Sequence, residues 1–173
     1  MKIRAGDQRD ADTLLAMFDD AVAWLTQQGR GDQWGTRPWS QHPASAERVR
    51  QMATDEELWI AEIDHRPAGA LILTEQAPAY VPPASQSELY VLLLITARAY
   101  AGLSLGSTLL AHAREQARDR GLPLIRVDCW AGANGKLVDY YRRAGFTPTV
   151  GFTHHGWSGQ VLEQKLPLSS PPR

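Results

Sequence analysis

The segment Ala101-Gly102-Leu103-Ser104-Leu105-Gly106-Ser107 concentrates small residues between an apolar run, Ser87 to Thr96, and an amphipathic one, Leu105 to Arg120. Such a turn lets a ligand approach the backbone closely, and the first turn of a helix presents N–H groups without intrahelical partners. Those amides and the positive end of the helix dipole suit a phosphate or pyrophosphate. The same stretch also reads Gly102-x-Ser104-x-Gly106, the pattern of a strained turn that presents a nucleophilic serine, with Asp128 and His154 following in hydrolase order. Against that second chemistry, Ala97 to Ala101 intervene where such an elbow follows its strand directly, and no oxyanion glycine run lies upstream. Further on, Asn134 is followed seven positions later by Tyr141, and then at once by Arg142-Arg143-Ala144-Gly145-Phe146. Cys129, beside Trp130 in an apolar run, reads as a small buried hydrophobe.

The elements that must position these residues follow from periodicity. A short strand at Lys2 to Arg4 precedes a helix over Asp10 to Gln28, with Leu14, Phe18, Val22 and Leu25 on one face, Asp10 or Asp12 as cap and Gly29 as stop. Gly29 to Pro43 reads as a loop carrying Trp34 and Trp39, after which Ser45 can cap a second helix ending near Thr54. Leu58 to Asp64 and Ala68 to Glu75, separated by His65-Arg66-Pro67, form a hairpin. Ser87 to Thr96 is the strongest strand, Leu105 to Arg120 a helix ended by Gly121, Leu124 to Trp130 another strand, and Lys136 to Ala144 a short helix. Phe146 to Val150 and Gln160 to Leu166 close the pattern as a strand pair. This order argues for an α/β (α+β) fold with a mixed, mostly antiparallel sheet.

Composition narrows the partners. The 173 residues suit a single domain over residues 1–167, with a flexible Pro-Ser tail at 168–173. A formal charge of −1, from 18 basic and 19 acidic side chains without long like-charged runs, argues against nucleic acid and anionic membrane. Tyr90 to Ile95, the longest apolar run, is far below the roughly 20 residues that span a bilayer. One cysteine closes no intramolecular disulfide and Met1 to Asp10 holds no apolar leader core, so the reading is cytoplasmic. Arginine far outnumbers lysine and alanine is frequent, which suits a GC-rich bacterial genome.

Turn, Asn134, short helix, Tyr141 and Gly145-Phe146 in this order resemble the acetyl-CoA-binding core of the GNAT N-acetyltransferase superfamily, whose pattern is a Gln/Arg-x-x-Gly-x-Gly/Ala turn, then Asn, then Tyr before Gly-Phe. The similarity extends over nearly the whole chain, least at Ala77 to Gln86 and Gly151 to Gly159, with Ala101 in place of Gln or Arg and Ser104 in place of the middle glycine. It implies a three-layer fold with helices flanking the sheet, and acetyl-CoA as co-substrate. By resemblance, Leu94, Ile95 and Thr96 pair with the pantetheine arm, the backbone of Gly102, Leu103, Ser104, Leu105, Gly106 and Ser107 holds the pyrophosphate, and Asn134 bonds the arm.

The implied reaction is direct attack by a neutral amine of a small molecule on the thioester in a ternary complex, with strand-end amides stabilising the oxyanion. Tyr141 is then the acid, since a phenol of ordinary pKa about 10 can donate to a thiolate of about 8.5. Alternation places Glu88 with Tyr90, Leu92 and Leu94 on one face, which makes Glu88 the first choice of base, or else an exposed strand-end carboxylate. His154 and His155, in the loop before the last strand, are alternatives. Trp24, Trp34, Trp39, His154 and Trp157 are expected to contact the acceptor, although at least two of those tryptophans can serve the core instead. No metal is expected, and the chain can be monomer or homodimer. Two other readings stay open: a CoA-thioester sensor without catalysis, and a serine hydrolase using Ser104.

Overall fold

A computed structural model describes residues 1–167, so the tail expected from residue 168 lies outside the described residues. Along these residues run β1 Lys2–Ala5, α1 Ala11–Gln27, α2 Pro43–Asp55, β2 Glu57–Ile63, β3 Arg66–Thr74, β4 Glu88–Thr96, α3 Leu105–Asp119, β5 Leu124–Trp130, α4 Lys136–Arg143, β6 Thr147–His154 and β7 Trp157–Lys165. The strands form a sheet in the order β1-β2-β3-β4-β5-β7-β6. Within it β4 and β5 run parallel, whereas β1–β2, β5–β7 and β6–β7 are antiparallel. This is the mixed, mostly antiparallel α/β architecture the sequence implied. Met1–Ile72 with Leu93–Leu109 make one compact unit, and Leu73–Leu92 with residues 110–167 make a second. The division falls inside β3, β4 and α3.

In the first unit, α1 buries Leu14, Phe18, Val22 and Leu25, the face its periodicity selected. Its start differs from expectation. A 3-10 turn at Gln8–Asp10 precedes the helix, and Asp7 caps that turn in a reciprocal arrangement with Asp10. Asp10 is thereby free to take Arg4 through both carboxylate oxygens at 2.9 and 2.7 Å, while Arg4 Nε reaches Glu62 at 2.7 Å. α2 opens on Pro43, and His42 rather than Ser45 is its cap, its Nδ1 accepting the Ser45 N–H at 3.4 Å. The β2–β3 turn is Asp64-His65, both at positive φ (49° and 62°), the backbone that a two-residue hairpin requires. Gly69 in β3 sits in close packing: an added Cβ would stand 3.1 Å from the Ile95 carbonyl oxygen and 3.2 Å from Leu109 Cδ1.

In the second unit β5 buries Leu124, Ile125, Val127 and Cys129, and α4 packs against β5, β6 and β7. The largest departure from the sequence reading lies here. β6 and β7 run on to His154 and Trp157 as one hairpin, where Gly151 to Gly159 had read as a connecting segment. The glycines in that stretch signal breaks, yet they serve the ladder. Register shifts between Pro148 and Gly151, His155 and Gly156 turn the chain at φ 48° and 79°, and Gly159 leaves room for the Phe152 ring, whose Cζ would stand 2.3 Å from a Cβ there.

Candidate active site

The expected site residues fall into two groups, one in each unit. In the first unit β4 ends with Leu94 and Thr96 half-buried and Ile95 buried. The Ala97 N–H donates to the Ala68 carbonyl at 2.8 Å, the chain makes a 3-10 turn at Arg98–Tyr100, and α3 begins at Leu105. Between them Gly102 stands at φ 87° and Ser104 at φ 55°. That left-handed conformation is the physical reason a glycine is usual at the Ser104 position, because a Cβ there costs roughly 1–2 kcal/mol. The Ser104 carbonyl accepts the Thr108 N–H at 3.1 Å, so Ser104 is the residue on which α3 starts. Ala101 to Ser104 and Ser107 are exposed, and Gly106 is half-buried. Leu105 is buried, so its side chain belongs to the core and only its backbone N–H can face a ligand. Among the described residues the Ser104 hydroxyl has no hydrogen-bond partner, which leaves it without the base that hydrolysis requires.

Of the tryptophans expected to meet an acceptor, three lie in this unit. Trp39 stacks on the buried Phe18 with centroids 4.2 Å apart and planes at 10°, Trp34 tilts against Phe18 at 5.1 Å, and Trp39 Nε1 donates to the Trp34 carbonyl at 3.0 Å. This cluster gives the long loop an apolar inner surface. Trp24 is placed differently, under two guanidiniums: Arg98 at 3.9 Å and Arg30 at 5.6 Å from the ring centroid.

In the second unit Glu88 borders a cavity with Pro78, Val81 and Ser87, but it is not an exposed strand end. It is buried, and both its oxygens are taken by Arg126, from Nε at 2.5 Å and from NH2 at 2.7 Å. Arg126, also buried, spends another N–H on the Pro82 carbonyl at 2.9 Å. Buried, and with both oxygens held by Arg126, the Glu88 carboxylate is engaged in an ion pair rather than presented to an amine, which corrects the expectation of a base there. Alternation nevertheless put Glu88 and Tyr90 on one face correctly, and the register Tyr90↔Arg126 adds Arg126 and Asp128 to it. There the Tyr90 hydroxyl donates to Asp128 Oδ1. Burial, and then the Asp128 charge, push the Tyr90 phenol far above its ordinary range, so it is a permanent donor. Tyr90 and Arg126 carry no role in the sequence reading, and Asp128 enters it only as the acid of the serine-hydrolase alternative. The available signal was two charged residues inside the otherwise apolar β5.

The β4–β5 register runs from Glu88↔Leu124 to Val91↔Val127, one position before Asp128. Asn134 is exposed in a 3-10 turn at φ 58°, and Gly135 at φ 72° leads into α4. Tyr141 on α4 is buried, with Tyr140 and Phe146 edge-on to its ring at 5.2 and 5.8 Å. Burial first, then Cys129 and Tyr140, hold its hydroxyl protonated well above the usual phenol range. Gly145, at φ 94°, ends the helix and lets the Phe146 N–H reach the Tyr141 carbonyl at 3.0 Å. His154 is not on a loop: it closes β6, paired with Trp157, and its ring stacks on Tyr80 at 4.5 Å. Trp157 in turn tilts against Phe152 at 6.0 Å.

Residues 19–146 match the Acetyltransferase (GNAT) family. The chain belongs to that family. This GNAT chain is an acetyl-CoA-dependent acyltransferase. Among solved structures it is similar to a GNAT-family acetyltransferase from Listeria monocytogenes 4b F2365, at 21% identity over 95% of this chain and 94% of that one, with a TM-score of 0.71. It is also similar to the PaiA N-acetyltransferase of Thermoplasma acidophilum, solved with coenzyme A, at 18% identity over 95% and 98% of the two chains and a TM-score of 0.67. A third, the putative acetyltransferase yncA of Salmonella typhimurium with acetyl-CoA, shares 17% identity over 100% and 98%, with a TM-score of 0.62. No curated protein matches the chain. At these identities the likeness is one of fold, and the GNAT assignment rests on the family match.

Proposed function

We propose that this GNAT enzyme transfers the acetyl group of acetyl-CoA to an amine of a small molecule by direct attack in a ternary complex. The observation that carries the reading is the turn before α3, exposed from Ala101 to Ser104 and bent by positive φ at Gly102 and Ser104. Its Gly102 to Ser107 amides would hold the pyrophosphate at the positive end of α3. The Leu94 to Thr96 backbone would pair with the pantetheine arm and Asn134 would bond it. Acetyl-CoA supplies the activated acyl group. Tyr141, kept neutral by burial, is the proposed donor to the departing thiolate.

For the amine proton Glu88 is spent on Arg126, and we assign the acceptor-side carboxylate to Asp128. It is half-buried, it is steered by the Tyr90 hydroxyl, and it stands on β5 just past the end of the β4–β5 register. Trp24, Trp34, Trp39, His154 and Trp157 remain the proposed acceptor contacts. Cytoplasmic residence, as monomer or homodimer, accompanies this reading. Among the described residues no helix is long and apolar enough to cross a membrane.

The test is calorimetric titration with acetyl-CoA beside thiol release over a panel of primary amines. Binding with turnover supports transfer. Binding without turnover on any amine favours the non-catalytic thioester sensor, which the Ala101 and Ser104 departures would suit, and no binding defeats both. Asp128→Asn is expected to lower kcat by about 10²–10⁴ at unchanged acetyl-CoA affinity. An unaltered kcat would take the role away from Asp128.

A further inference from the structure

We propose that Arg98 and Arg30, gathered on Trp24, recognise an oxyanion carried by the acceptor, so that the acceptor is an amine that also bears a carboxylate. The inference rests on the acetyltransferase reading and adds a substrate class to it.

Arg98 stands 3.9 Å and Arg30 5.6 Å from the Trp24 ring centroid. Among the described residues neither guanidinium has an ion pair or a hydrogen-bond acceptor. Other arginines of this chain are committed: Arg4 to Asp10 and Glu62, Arg126 to Glu88, Arg114 to Gln164 and the Ala144 carbonyl. Two like charges drawn to one indole repel each other, and each cation–π contact at an exposed site contributes only about 0.5–1 kcal/mol. A ring contact uses the flat face of a guanidinium and leaves its fork of N–H donors available, which matches a carboxylate. An anion bound there would be attracted by both charges and would relieve their repulsion.

The backbone beneath each arginine is fixed. The Arg30 N–H donates to the Leu25 carbonyl at 2.8 Å just after Gly29 turns the chain at φ 67°. Arg98 opens the 3-10 turn and its carbonyl accepts the Ala101 N–H at 3.1 Å. Arg98 also lies two residues past Thr96, the strand end proposed to pair with the thioester arm. An anion held there is tethered near that end of β4. A phosphate of acetyl-CoA has the same chemistry, so the test must separate the two sources.

The probes are α-amino acids and their carboxamides, which share the amine and differ in the carboxylate. The wild-type enzyme is expected to favour the carboxylates in kcat/KM. Arg98→Ala is expected to lower the carboxylate-to-carboxamide ratio by about 10- to 100-fold, as loss of a charge-assisted hydrogen bond would. Arg98→Lys should recover part of it, and acetyl-CoA affinity by calorimetry should stay as in wild type. A wild-type enzyme blind to the carboxylate, or an equal loss on both acceptor classes, overturns the proposal. Weakened acetyl-CoA binding with the ratio intact assigns the arginines to the co-substrate and overturns it as well. Turnover of carboxamides without carboxylate preference leaves acetyl transfer standing. If no amine turns over, titration of the acetyl-CoA-loaded protein with the same two classes decides the point, and binding blind to the carboxylate refutes the site.

Discussion

Glu88 and Arg126 place opposite charges at 8% and 4% exposure, joined by two hydrogen bonds. Removing one partner strands the other in a medium that solvates it poorly. Glu88→Ala is therefore expected to destabilise the protein by about 3–5 kcal/mol, read as a lower urea midpoint at constant slope. A wild-type midpoint would show that the pair does not form. Tyr141 is a different kind of residue. Its ring is packed by Tyr140 and Phe146, and phenylalanine keeps those contacts while losing the proton. Tyr141→Phe should fold and bind acetyl-CoA like wild type, with thiol release at saturating substrates slowed by about 10²–10⁴. An unchanged kcat would make Tyr141 a packing residue only.

The turn between β4 and α3 decides how closely a pyrophosphate can approach the helix amides. Ser104 occupies a left-handed conformation there at φ 55°, so Ser104→Gly relieves about 1 kcal/mol of strain and is expected to raise the thermal midpoint. The same change should tighten acetyl-CoA in calorimetry, because the missing Cβ lets phosphate oxygens closer. Weaker binding would instead make the Ser104 hydroxyl a ligand. The β6–β7 hairpin depends on absence of a side chain in another way. Gly159 makes space for Phe152, so Gly159→Ala forces that ring to move and should cost about 1–3 kcal/mol in a urea titration.

Stability of the whole molecule should be limited on the alkaline side by its buried acids. Burial, and then Asp128, push the Cys129 thiol up to about 12, whereas an unfolded cysteine ionises near 8.5. The neutral form is the one the fold prefers. Its contribution is complete below about pH 8.5 and is lost as pH rises through the native value, with Tyr90 and Tyr141 adding loss of the same sign above about pH 10. Urea midpoints are expected to fall between pH 8 and 10, and Cys129→Ala to flatten the first part of that fall; a level profile in wild type would contradict the burial of the thiol. The sequence by itself determined the order of elements, the buried face of α1, the limits of β5, and the turn, Asn134, Tyr141 and Gly145-Phe146 pattern of the family. These are local: periodicities of two and 3.6 report which face is buried, and turn chemistry needs only neighbouring residues. Tertiary structure decided which strand lies beside which. Glu88 meets Arg126 and Tyr90 meets Asp128 across 38 positions of chain, and that adjacency turned an expected base into a neutralised ion pair and gave Asp128 its steering hydroxyl. It also brought Arg98, far later in the chain, over the ring of Trp24. Alternation fixes the face a carboxylate occupies but not the neighbour it finds there, and a hydrogen bond or an ion pair reaches only a few ångströms, so its role is set by that neighbour.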